Sequence, residues 1–197
     1  AVSERVFGRL AVYCASSNLT LDRYGDAAYA VGKRLAELGI GVVYGGGRVG
    51  LMGRVADGAL DHGGEVIGVI PRKLQALELG HHGCTRLEVV DTMHERKLRM
   101  AELADGFIAL PGGWGTWEEL FEVVTWTQLG YHHKPVGVLN VHGYYDPLLA
   151  MVEHAIGEGF VRPMLRGLLC HDRDLDGLIE AMRVAELPAI EKWLEGP

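Results

Sequence analysis

The chain is short of positive charge: 19 lysines and arginines stand against 26 aspartates and glutamates, a formal net charge of -7. That balance argues against a protein that grips nucleic acid through its phosphates. It leaves room for a small anionic ligand, which needs only a local positive field. Cysteine is equally scarce. Cys14, Cys84 and Cys170 are odd in number, far apart and in no CxxC pair, so they read as reduced, mostly buried thiols of a cytoplasmic protein. No apolar run approaches the length of a membrane span, and the N-terminus has no signal-peptide pattern, so no membrane partner is expected. Lysine is nearly absent as well, and none of the five sits in a setting that marks a Schiff base. A pyridoxal enzyme is not supported.

What remains is ordinary for a globular protein: 48% hydrophobic and 23% charged residues over 197 positions. That length fits one domain, 1–197, with a sizeable core and little left for a second.

One stretch organises the rest, Leu110-Pro111-Gly112-Gly113-Trp114-Gly115-Thr116-Trp117-Glu118-Glu119-Leu120. The apolar run Phe107 to Leu110 leads into it as a short buried strand, and Leu120, Val123, Val124 and Leu129 leave it at helical spacing. Between them, three glycines allow a tight turn and a close approach to a ligand that any Cβ would obstruct. A helix starting near Thr116 points its free N–H groups and the positive end of its dipole back at the turn. An oxyanion, above all a phosphate, is the natural occupant. Glu118 and Glu119 follow at once and cannot both be there to hold it. Either they favour the helix N-terminus and face solvent, or a carboxylate serves a reacting centre near the phosphate.

Taken in order, the chain alternates strands and helices. Leu10 to Cys14 is a strand, and Tyr24, Ala27, Ala28, Val31, Leu35 and Leu38 form one helical face that Gly39 stops. Ile40 to Tyr44 is a second strand, Leu51 to His62 a helix, and Val66 to Ile70 a third strand stopped by Pro71. Residues 72 to 84 are the least regular part, long enough to be a lid. Leu87 to Val90, Pro135 to Asn140 and Leu168 to Cys170 complete the strands. Met93 to Leu103, Asp146 to Ile156 and Leu175 to Ala185 complete the helices. This alternation predicts an α/β fold, a single Rossmann-like domain whose parallel sheet carries helices on both faces. The turns after Cys14, Tyr44, Val90 and Leu110 then share the carboxyl edge where ligands bind.

Other motifs are weaker. Gly45-Gly46-Gly47-Arg48-Val49-Gly50 has the letters of a dinucleotide loop. It follows the second strand rather than the first, and the strand beyond it ends in Pro71-Arg72 rather than an acidic residue. A second anion-facing turn, or a plain tight turn, fits better than NAD. His94-Glu95 resembles a zinc motif, but Leu98 stands where the second histidine belongs, so no metal is expected. Arg96 and Lys97 are cations at a helix N-terminus, mildly unfavourable unless something anionic compensates. Thr125 interrupts an apolar helical face, where such a threonine commonly bonds back to its own helix. Trp114, Trp117 and Trp126 read as core or subunit-contact residues, with Trp114 open to a ligand role.

Pro111-Gly112-Gly113-Trp114-Gly115-Thr116-Trp117-Glu118-Glu119 resembles the PGGxGTxxE motif of the LONELY GUY (LOG) family, and Met93-His94-Glu95-Arg96-Lys97 its companion M-x-x-R-K motif. Tyr44-Gly45-Gly46-Gly47 with Gly50-Leu51-Met52-Gly53 matches a third segment, and similarity runs from Ala11 through the Tyr144-Tyr145-Asp146-Pro147 stretch. The resemblance implies a cytokinin riboside 5′-monophosphate phosphoribohydrolase, a homodimer of Rossmann-like fold without a cofactor. Such an enzyme cleaves N6-substituted AMP, or AMP itself, to free base and ribose 5-phosphate. The "lysine decarboxylase" label that many members carry is not supported as an activity. Carried over, Arg96 and Glu119 are the catalytic pair. Gly113 to Glu119 (Gly113, Trp114, Gly115, Thr116, Trp117, Glu118, Glu119) hold phosphate and ribose, with Lys97, Glu78 and Thr125 completing the pocket. Met93, Gly112, Gly45 and Gly46 belong with the substrate-binding set. Trp114 departs from the family by its bulk at a variable position.

Two other functions compete. One is a non-catalytic purine nucleotide carrier, similar to the molybdenum-cofactor carriers of this fold, which would not need both Arg96 and Glu119. The other is a dinucleotide oxidoreductase, disfavoured by the missing ribose-binding acid.

Overall fold

A computed structural model describes residues 4–20, 22–77 and 79–188. Its strands are β1 (Arg9–Tyr13), β2 (Gly41–Tyr44), β3 (Val66–Pro71), β4 (Arg86–Val90), β5 (Gly106–Ala109), β6 (Val136–Leu139) and β7 (Leu169–Asp172). They form one seven-stranded sheet in the order β4-β3-β2-β1-β5-β6-β7. Every neighbouring pair is parallel. The order runs one way from β1 to β4 and reverses at β5. The crevice beyond the carboxyl ends of β1 and β5 is therefore the topological switch point, where such sheets bind ligands.

The helices are α1 (Asp22–Glu37), α2 (Gly50–Leu60), α3 (Arg72–Ala76), α4 (Met93–Leu103), α5 (Trp114–Gln128), α6 (Asp146–Gly157) and α7 (Leu175–Val184). They cover both faces of the sheet, as the continuous apolar strands require. On one face Leu10 and Val12 of β1 pack with Val31 and Leu35 of α1, Val55 of α2 and Leu178 of α7. On the other, Ala11 and Tyr13 pack with Met100 of α4 and Leu120 and Val123 of α5. Successive side chains of one strand thus feed two cores. Gly39 ends α1 with φ +70, and the Gly39 and Ile40 N–H groups bond back to Ala36 and Leu35, a glycine stop of the expected kind.

Two boundaries differ from the sequence expectation. Within residues 72 to 84 stands a single helical turn, α3, with no buried residue; it has no apolar face for a pattern to betray. The part of that segment nearest the sheet is not a free lid. Leu79 accepts from the Arg48 N–H at 3.0 Å and His81 donates to the Gly46 carbonyl at 2.8 Å, so the segment is laced to the turn after β2. Helix α5 begins at Trp114 rather than near Thr116, because its N-cap is Gly113, which offers no side-chain cap. No helix among the described residues is long and apolar enough to cross a membrane.

Candidate active site

The turn between β5 and α5 is pinned from three sides. Leu110 donates to the Tyr13 carbonyl at 2.8 Å, and the Ala15 N–H donates to Pro111 at 3.2 Å, which ties the turn to β1 across the switch point. From the other side Tyr144 and Tyr145 donate their hydroxyls to the carbonyls of Gly112 and Leu110, each at 2.5 Å. Thr116 is buried beneath the turn, and a Cβ at Gly112 would stand 2.5 Å from the Cβ of Thr116. Gly112 is therefore glycine for internal packing. Gly113 and Gly115 are different. A Cβ on either meets nothing within 4 Å, and neither has positive φ. The first hydrogen bond of α5 runs from the Trp117 N–H to the Gly113 carbonyl. The N–H groups of Trp114, Gly115 and Thr116 thus stand at the open end of a fifteen-residue helix.

Helix α4 brings the cations. Thr92 caps it by accepting from the Glu95 N–H at 3.1 Å, and Glu95 returns to accept from the Asp91 N–H at 2.8 Å. Glu95, the carboxylate of the zinc-like His94-Glu95 pair, is thus a capping residue. Arg96 follows and turns inward, only 5% exposed. Its guanidinium lies against the turn after β2, where a Cβ at Gly45 would collide with Nη2 and come within 2.8 Å of Cζ. Gly45 is glycine so that Arg96 can be where it is. Among the described residues the Arg96 Nε has no hydrogen-bond partner. Its Nη1 reaches only the thioether of Met93, at 3.8 Å.

Glu119 completes the pair from α5 and is 7% exposed. Burial pushes its carboxyl up to about 7; the Arg96 charge pulls back and the neighbouring Glu118 pushes further up. No ion pair joins Glu119 to Arg96 or any other cation among the described residues. Lys97, as buried as Glu119, has the opposite circumstances. It sits between Glu118 at 2.5 Å and Glu122 at 2.9 Å. Burial works to lower its pKa, but the two carboxylates outweigh that and raise it. An isolated buried charge is costly and a paired one much less so. Lys97 is satisfied by the protein; Arg96 and Glu119 are not. Buried opposite charges within reach of each other but joined by no ion pair are where function is expected.

Most residues marked in the sequence converge here. Gly45, Met93 and Arg96 meet, Glu119 lies within reach of the Arg96 charge, and Gly112 to Glu119 run through the turn into the start of α5. Gly46, with φ +76 and room for no Cβ, which would stand 3.1 Å from both Ile70 and Leu87, serves the backbone of the neighbouring turn. Lys97 and Glu118 are committed to each other. Trp114 is 85% exposed and meets Trp117 edge-on at 5.3 Å, so it belongs to no core. Thr125 stands eleven residues past Trp114 on α5, about 16 Å along the axis at the usual helical rise. Its hydroxyl donates to the Phe121 carbonyl at 2.7 Å, the back-bond expected of a helical threonine. Glu78 lies outside the described residues. Sequence reasoning missed Glu122, Tyr144 and Tyr145. Glu122 was legible four residues after Glu118, and the tyrosines lie in a quoted stretch to which no role was attached.

The model of a family described as "Possible lysine decarboxylase" matches residues 52–182. A cytokinin riboside 5′-monophosphate phosphoribohydrolase of Rhodococcoides fascians is 50% identical over 173 residues, 87% of either chain. The rice enzyme of the same name, LOG, is 51% identical over 163 residues, 83% of this chain and 67% of its own length. Among solved structures, the molybdenum cofactor carrier protein of Chlamydomonas reinhardtii superposes with a TM-score of 0.68. It covers 88% of this chain and 94% of its own at 21% identity, a likeness of fold alone. Identity near one half over most of both sequences decides the matter: the chain belongs to the LOG family of cytokinin riboside 5′-monophosphate phosphoribohydrolases.

Proposed function

We propose that this protein hydrolyses the N-glycosidic bond of N6-substituted adenosine 5′-monophosphates, and of AMP, releasing free base and ribose 5-phosphate. The observation that carries the reading is the buried pair Arg96 and Glu119, set beside the open N-terminus of α5: the Arg96 Nε has no hydrogen-bond partner and Glu119 no ion pair among the described residues. That N-terminus, with the bare backbone of Gly113 and Gly115, receives the 5′-phosphate. The phosphate then supplies binding energy that positions the ribose. As the C1′–nitrogen bond breaks, its electron pair leaves with the purine and positive charge develops at C1′, as in glycoside hydrolysis. Glu119 as carboxylate stabilises that charge and orients the attacking water, whose oxygen bonds C1′ as it gives up a proton, while the departing purine takes up a proton from solvent. Arg96 cannot act as a base at neutral pH; its charge opposes the burial that raises the Glu119 pKa and so favours the carboxylate, and it orients the substrate.

The family's dimer is proposed for this chain as well. Helix α6 has no buried residue although its sequence is largely apolar. Met151 on it shares an open groove of about 500 Å³ with Trp114 and Phe121 of α5. An apolar face of that kind asks for cover. Light scattering is expected to give twice the chain mass of 21.5 kDa. A cytoplasmic location is supported by three cysteines that are all free.

The test is incubation with AMP and with N6-isopentenyladenosine monophosphate, free base being resolved by chromatography. Wild type is expected to release base from at least one, and Glu119→Ala to lower kcat by on the order of 10²-fold or more with the fold retained. An unchanged kcat removes Glu119 from the mechanism. No base from either nucleotide, with tight AMP binding, makes the protein a carrier.

A further inference from the structure

The Tyr144-Tyr145 pair has no part in the reaction as described, yet the fold goes to some length to place it. The strand β6 is followed by a 3₁₀ turn, Val141–Gly143, in which His142 adopts φ 53 and ψ 25 and Gly143 φ 72. A left-handed histidine is a sparsely populated state that the surroundings must enforce. They do so through buried Asn140, whose side chain accepts from the Tyr145 N–H and donates to Asp146, both at 2.7 Å. The result is that both hydroxyls point at the β5–α5 turn, Tyr145 at the Leu110 carbonyl and Tyr144 at the Gly112 carbonyl. Strain of this kind, held at a crevice, points to a purpose.

Peptide geometry supplies one. In a planar trans peptide the C=O and the following N–H point in opposite directions, and the described residues contain no cis peptide. The Pro111 carbonyl is held by the Ala15 N–H, so the Gly112 N–H is turned away from β1. The Gly112 carbonyl is held by Tyr144, so the Gly113 N–H is turned away from Tyr144. We propose that Tyr144 is a positioning residue of the phosphate site. Its hydroxyl fixes the Gly112–Gly113 peptide in the orientation that presents the Gly113 N–H to the substrate's 5′-phosphate. This rests on the reading that the turn binds that phosphate. A donor fixed before binding costs no reorganisation when the anion arrives. Tyr145 makes the same bond two peptides earlier, where the next residue is Pro111 and there is no N–H to present. Tyr145 holds the turn in place, and Tyr144 aims it.

The two tyrosines therefore separate under one experiment. Dissociation constants for ribose 5-phosphate, ribose and adenine would be measured by calorimetry on wild type, Tyr144→Phe and Tyr145→Phe. Tyr144→Phe is expected to weaken ribose 5-phosphate about tenfold and to leave adenine within about twofold, a pattern that general loosening of the fold does not produce. Tyr145→Phe is expected to shift the ratio of the two by less than about twofold, whatever it does to thermal stability. If wild type prefers ribose 5-phosphate to ribose and Tyr144→Phe keeps that preference whole, the positioning role is overturned and the phosphate reading stands. If Tyr144→Phe weakens adenine as much as ribose 5-phosphate, the hydroxyl is merely structural and the role is again overturned. If wild type binds ribose and ribose 5-phosphate equally, the phosphate reading falls and takes this inference with it.

Discussion

Two glycine-rich turns face the same crevice, and they spend their glycines differently. In the turn after β2 three of the four glycines answer to the protein, and at the fourth, Gly47, a Cβ would meet the flexible Met52 thioether at 3.2 Å. Gly45 clears room for the Arg96 guanidinium, Gly46 combines φ +76 with contact to Ile70 and Leu87, and Gly50 combines φ +67 with the Ser16–Ser17 backbone. In the turn after β5 only Gly112 does so, by making way for Thr116, while Gly113 and Gly115 open onto empty space. The letters G-x-G-x-x-G occur in the first turn, yet the glycines with open faces are those of the second. Glycine content alone does not mark a binding loop. What sets Gly113 and Gly115 apart within this pair of turns is that neither packing nor a positive φ requires them.

The sharpest way to break this comparison is Gly45→Ala. The added methyl collides with the far end of a flexible side chain rather than with backbone, so the fold is expected to survive while Arg96 is driven out of the crevice. Losing one preorganised electrostatic group costs on the order of 10²–10³-fold in kcat. Steady-state kinetics beside a melting curve checks it: retained activity would mean that Arg96 need not occupy its observed place.

The second prediction concerns what the two turns enclose. The Glu119 carboxyl titrates at about 7 in the folded chain against 4.5 in the reference state, raised chiefly by burial. Between those values the folded protein binds more protons than the unfolded one, so this group's contribution falls as pH rises through about 7. Glu119→Gln removes the titration. Its stability advantage over wild type is expected to grow by about 2 kcal/mol between roughly pH 5.5 and 8, read by denaturant unfolding at both pH values. Activity should move the other way: kcat/KM of wild type rises through the same window as the carboxylate forms. A stability difference independent of pH would mean that Glu119 is solvated and ordinary.

Nearly all of the sheet was legible, because strands buried on both faces are written as uninterrupted apolar runs, as in Val66 to Ile70. The helices with apolar faces were legible to within a residue or two at most ends. Helix α3 was not, since five residues with none buried leave no period to read. Of the site, the β5–α5 turn was visible as a strand, a glycine turn and a helix in succession. The fit of Arg96 against Gly45 was not visible, because it joins residues fifty-one positions apart through the shape of a side chain. Nor was the task of Tyr144, a hydroxyl bond to a backbone carbonyl, which leaves no trace in residue pattern. Lys97 carried a half-signal: an unfavourable cation at a helix start did imply a compensating anion, and the anions proved to be Glu118 and Glu122 on the neighbouring helix.

The finest test of the contrast is a pair of methyl groups on the open side. Gly113→Ala and Gly115→Ala each place a Cβ where the protein has nothing within 4 Å, so neither meets a steric penalty within the chain. For Gly115, inside the first turn of α5, the exchange is expected to stabilise the fold by up to about 0.5–1 kcal/mol, as alanine is the better helical residue. Each Cβ also stands beside the free N–H groups of α5, in the path of a phosphate that must come within hydrogen-bond distance of them. The KM for a nucleoside monophosphate is therefore expected to rise about tenfold for Gly113→Ala and severalfold for Gly115→Ala, with kcat less affected. A protein made no less stable and a weaker grip on nucleotide would together show that these two glycines serve the ligand alone. An unchanged KM in both would mean that the phosphate sits elsewhere, and that their open faces are simply surface.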